Sequence, residues 1–210
     1  MRAKVACLAA FAVAMAFVEA AVVVYLREII GGGPVFPMKE IPAALLAVEV
    51  GREAATIVML LSVAFLSFRG EARRMGAFLV TFAVWDIFYY VWLKATIDWP
   101  SSLTEWDILF LIPVPWIGPV LAPLLISVLM VGTGSMITWL YYRNGEFRPG
   151  WLSWIFALTA TAAILYSFMR DFSATLHQQM PQPYQYGWLI FGLVLYSAGF
   201  VVGYRDAGRS

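Results

Sequence analysis

Residues 5–26 read VACLAAFAVAMAFVEAAVVVYL, an apolar run interrupted by one charged side chain, Glu19. About 20 such residues cross roughly 30 Å of hydrocarbon as a helix, and a helix is required because lipid offers no partner to an unpaired backbone amide. Five more segments have the same character: 42–68, 75–93, 120–142, 152–169 and 187–204. Turn chemistry separates them, at Gly31-Gly32-Gly33-Pro34, Arg69-Gly70, Trp99-Pro100, Asn144-Gly145 and Pro181-Gln182-Pro183. The reading is an all-α, polytopic transmembrane bundle of about six spans. It forms one integral membrane domain, 1–210, with a polar half (1–119) and an apolar half (120–210) between which no repeat is evident. A signal-peptide reading of the first run, from Arg2 and Lys4 through the small residues near Ala20, is countered by its continuation through Ala21 to Leu26.

Composition agrees. Of 210 residues, 62% are hydrophobic and 13% charged, against about a quarter charged in globular chains, and the mean hydropathy is +0.79. A net charge of +1 without any block of like charges gives no footprint for nucleic acid. A lone cysteine, Cys7, rules out an internal disulfide framework and a cysteine cage, and a lone histidine, His177, rules out a bis-histidine haem; neither haem nor zinc is expected. His177 reads as a loop histidine.

Basic residues orient the bundle. With the N-terminus inside, Arg2, Lys4, Arg69, Arg73, Arg74, Arg143, Arg148, Arg205 and Arg209 are cytoplasmic, and Arg27, Lys39, Lys94 and Arg170 lie outside. Nine against four places both termini in the cytoplasm, in what reads as a bacterial cytoplasmic membrane. In the last span Gly192, Gly199 and Gly203 approach one helical face. They form a close-packing seam, either within the bundle or toward a homo- or hetero-oligomeric partner; the other expected partner is membrane lipid.

Polar groups gather toward the outer end. Glu19 lies seven residues from the end of its run, Glu49 seven after Pro42 and Asp86 seven before Leu93, so each carboxylate sits about 10 Å deep. Glu49, Arg52 and Glu53 share one helical face, with Arg52 beside both acids, and Asp86, Tyr89, Tyr90 and Lys94 share another. Four prolines, at 113, 115, 119 and 123, exclude a regular helix across 108–123. That stretch reads as an interfacial or re-entrant segment covering the outer mouth and bringing Trp106 and Asp107 to the cluster. Glu19, Glu49, Glu53, Asp86 and Asp107 against Arg52 and Lys94 leave a formal charge of −3.

The runs 18–27, 49–56, 85–94 and 106–123 resemble those of uncharacterised bacterial multi-pass membrane proteins over roughly residues 5–125. The resemblance implies a polytopic fold and brings no activity, catalytic residue or cofactor. Three functions fit these residues. The first is a site that binds or transports a small cation or proton-coupled solute, with Glu19, Glu49, Glu53 and Asp86 as ligands if the ion is a hard divalent metal. The second is an intramembrane enzyme acting on a lipid or isoprenoid. The third is a structural or assembly subunit in which Arg52 pairs with Glu49 or Glu53, and Lys94 with Asp86.

Overall fold

The computed structural model describes residues 2–32, 35–37, 39, 41–144 and 149–207. Of the features above, Gly33, Pro34, Gly145, Arg148 and Arg209 lie outside them.

Six long helices dominate: α1 (Arg2–Ile29), α2 (Ala43–Ser67), α3 (Glu71–Ile97), α4 (Leu121–Asn144), α5 (Trp151–Met169) and α7 (Tyr186–Ala207), with the four-residue α6 (Ser173–Leu176) between the last two. Five of the six, all but α2, are long and apolar enough to cross a membrane. Large apolar side chains face outward on every one, for example Val18, Val58, Val91, Val128, Leu158 and Val194. That surface suits lipid and not water.

Small residues set the helix packing. Leu8, Ala12, Ala16 and Ala20 are buried at four-residue spacing along α1, and this stripe lets α3 approach closely, with Ala12 and Ala16 in one core cluster with Leu60 and Trp85. The Trp92 indole donates to the Val13 carbonyl at 3.0 Å across the same contact. Between α3 and α4, Gly76 and Gly134 cross backbone to backbone: a Cβ on Gly134 would stand 2.6 Å from the Gly76 carbonyl oxygen. Between α5 and α7, a Cβ on Gly192 would meet Ile164 at 2.5 Å, and one on Gly199 would meet Phe156 at 2.7 Å. Gly192 and Gly199 of the last helix thus pack on α5 within the chain.

The proline-rich segment is a hairpin. Strands β1 (Trp106–Phe110) and β2 (Trp116–Pro119) pair antiparallel, Asp107 opposite Gly118 and Ile108 opposite Ile117, with an irregularity between Ile108 and Phe110. The prolines explain it: Pro113 and Pro115 fall in the connection, Pro119 ends β2, and Pro123 sits in the first turn of α4, where a missing N–H costs nothing. The expectation of no regular helix thus fails only at its last residues, which begin α4. His177 caps α6, its Nδ1 3.0 Å from the Ser173 carbonyl oxygen.

Candidate functional site

On α2 the buried residues are Glu49, Glu53, Thr56, Leu60 and Ala64, a single helical stripe that is polar at the hairpin end and apolar at the other. The polar end, the facing parts of α1 and α3 and the inner side of the hairpin enclose a cavity of about 310 Å³. Glu19, Glu49, Arg52, Glu53, Asp86, Tyr89, Tyr90 and Asp107 all line it, within a largely apolar wall completed by α4, α5 and α7.

Arg52 joins two helices. Its Nε and Nη2 donate to Glu49 Oε2 at 3.0 and 2.7 Å, and its Nη1 is in contact with Glu19 Oε1. Thr56 Oγ1 donates to the other Glu19 oxygen at 3.1 Å. Glu53, expected beside Arg52 as an ion-pair partner, instead accepts the backbone N–H of Leu111 at 2.8 Å. Asp86 Oδ2 accepts from Ser127 of α4 at 2.8 Å, and Asp107 Oδ2 from the Tyr90 hydroxyl at 3.0 Å.

Two expected members stand elsewhere. Lys94 does not meet Asp86: its Nζ lies 2.7 Å from Asp98 Oδ1 and donates to the Asp98 and Pro100 carbonyls. The Asp98 carboxylate, four residues on, and the carbonyls just beyond the end of α3 are the partners this long cationic side chain reaches. Trp106 packs edge-on against Phe36 and Tyr184 and is not part of the cavity wall, which the hairpin contributes to from Asp107 onward.

Arg27 and Lys39 line the cavity although the sequence reading assigned them only to the outer loop. Arg27 carries a legible signal, since Glu19, Val23 and Arg27 recur every four residues on α1. Its guanidinium lies 3.9 Å from the Trp99 ring centroid, while Lys39 Nζ donates to the Gly31 and Gly32 carbonyls at 2.8 and 2.7 Å. Ser127, Thr161 and Tyr196 also line the wall; hydroxyl residues recur along α4, α5 and α7 and can bond their own helix or a neighbour, so nothing in the sequence singles these three out. Five carboxylates therefore face three cations, a formal −2.

The hairpin carboxylates titrate in opposite directions. Burial pushes Asp107 up to about 6, against the nearby charge of Arg27, the Tyr90 hydrogen bond and the Ile108 N–H, while Glu105 pushes it further up. Burial also raises Glu105, but donors from Ser101, Trp99 and Ser102 more than offset it and hold that carboxyl below its ordinary value. Among the described residues no group of three or more His, Cys, Asp and Glu is placed to hold a metal ion. Compared with known proteins, the chain matches no family model, no curated protein and no solved structure.

Proposed function

We propose that this is a six-span protein of a bacterial cytoplasmic membrane, with both termini cytoplasmic and the hairpin outside, that binds a small solute in its hairpin-end cavity and carries it in exchange for protons. The carrying observation is the cavity itself, where five carboxylates from α1, α2, α3 and β1 meet three cations inside an apolar wall. Surplus negative charge in such surroundings is relieved by protons or by a cationic ligand. A bare divalent metal is not favoured, since the acids do not gather as a ligand set. Counting α2 as the sixth span rests on its 25 residues, about 37 Å of helix, and on its outward Val58 and Leu66.

The test is reconstitution into vesicles loaded with a pH-sensitive dye, challenged with alkali cations, organic ammonium ions and carboxylates. One class should move protons, and Asp86→Asn should lower that flux about tenfold or more, as expected for loss of an intramembrane carboxylate in a proton path. Absence of proton movement with every solute would end the reading.

A further inference from the structure

We infer that the ligand of this cavity is an organic ammonium ion with an apolar body, its charged end at Asp86 and its body along the aromatic wall that runs from Tyr89 to Phe168. The inference rests on the solute-binding reading above and names the ligand's chemistry.

The carboxylates are not equivalent. Glu19 and Glu49 share Arg52, Glu53 accepts the Leu111 amide and lies within the influence of the same Arg52, and Asp107 lies within the influence of Arg27. Asp86 has the Ser127 hydroxyl as its hydrogen-bond donor, and no cation forms a salt bridge with it among the described residues. A neutral donor orients a carboxylate but leaves its charge uncompensated, and a cation from outside the chain fits that need.

The wall beside Asp86 is built of rings in unbroken succession. Tyr89 stacks on Trp85 with centroids 6.4 Å apart, Trp85 meets Phe110 at 6.4 Å, Phe110 meets Trp116 at 5.3 Å, and Trp116 stacks on Phe168 at 6.5 Å. All five line the cavity. Aromatic faces attract ammonium groups, most strongly when both are shielded from water, and they cover an apolar body without demanding hydrogen bonds. At about 310 Å³ the space falls in the range that takes organic molecules, roughly 300 to 1,000 Å³, and is far more than a bare ion requires.

The test uses the purified full-length protein in detergent with three probes of equal chain length: hexylammonium, hexanol and hexanoate. Binding is read from tryptophan fluorescence, since Trp85 and Trp116 lie in the wall, and from the shift in thermal unfolding. Hexylammonium should bind saturably, about tenfold or more tighter than hexanol, with hexanoate weaker still. In Asp86→Asn its affinity should fall about tenfold while hexanol is unaffected. If Asp86→Asn does not fold, Trp116→Leu replaces it and should weaken hexylammonium several-fold. Equal binding of hexanol or hexanoate, or unchanged binding in a folded Asp86→Asn, overturns the ammonium assignment and leaves the solute site standing. No binding of any probe also overturns it, and the vesicle assay then decides whether the solute reading falls as well.

Discussion

Glu53 Oε2 accepts the backbone N–H of Leu111 at 2.8 Å, so a carboxylate on α2 ties down the hairpin that roofs the cavity. Leu111 is the residue just after β1, and its amide has no ladder partner. Removing the acceptor leaves a half-buried donor without its partner, which costs about 1 kcal/mol, the low end of the range for buried groups. Glu53→Ala should lower thermal stability by that amount and speed hydrogen exchange at Leu111. Glu53→Gln keeps a carbonyl oxygen in place and should preserve the protection. Unchanged exchange in the alanine variant would show that the hairpin is held by its apolar contacts alone.

Arg52 contacts Glu19 and Glu49, whose side chains are 8% and 6% exposed. Arg52→Leu strands two buried carboxylates and should destabilise the bundle by about 3–5 kcal/mol. Adding Glu19→Gln and Glu49→Gln in the same chain should recover most of the loss, because the triple variant has no unpaired charge to bury. Chemical unfolding in mixed micelles reads the difference. Failure of the triple variant to recover would mean that Arg52 acts mainly by packing.

Gly134 and Gly132 make a matched pair. A Cβ at Gly134 would collide with the Gly76 carbonyl oxygen at 2.6 Å and with Val80 at 2.9 Å, whereas a Cβ at Gly132 meets nothing within 4 Å. Gly134→Ala should force α3 and α4 apart and cost about 1–3 kcal/mol. Gly132→Ala should be neutral or stabilise by up to about 1 kcal/mol through helix propensity. Thermal melts of the two variants side by side suffice, and equal melts would contradict the backbone crossing.

Asp107 has a folded-state pKa of about 6, above the ordinary carboxylate value of about 3.9. Between these values the folded chain binds more protons than the unfolded one. This residue's contribution is therefore fully present below about pH 4 and is lost as pH rises through about 6, with a slope of at most about 1.4 kcal/mol per pH unit. Asp107→Asn should flatten that part of the stability profile. Tyr90→Phe, which deletes the hydrogen bond favouring the charged form, should move the midpoint upward. A profile that Asp107→Asn leaves unchanged would contradict the assignment.

Much of this was legible without coordinates. Long apolar runs bounded by glycine and proline give helices because hydrocarbon tolerates no unpaired backbone, so the six long helices follow from local composition. The equal depths of Glu19, Glu49 and Asp86 and the shared face of Glu49, Arg52 and Glu53 follow from helix geometry. Partner choice does not. Arg52 chose Glu19 over Glu53 because α1 packs beside α2 at that level, and Glu53 turned to an amide supplied by a segment 58 residues away. Lys94 turned to the end of its own helix. Ser127 met Asp86 only because Gly76 and Gly134 bring α3 and α4 into contact lower down. Four prolines excluded a helix across the hairpin, but long-range pairing decided that Asp107 lines the cavity while Trp106 packs against Phe36 and Tyr184. Composition and period fix elements and depths, because those depend on near neighbours and solvent. Tertiary structure alone fixes which buried charge meets which donor, because that depends on side chains brought together across different helices.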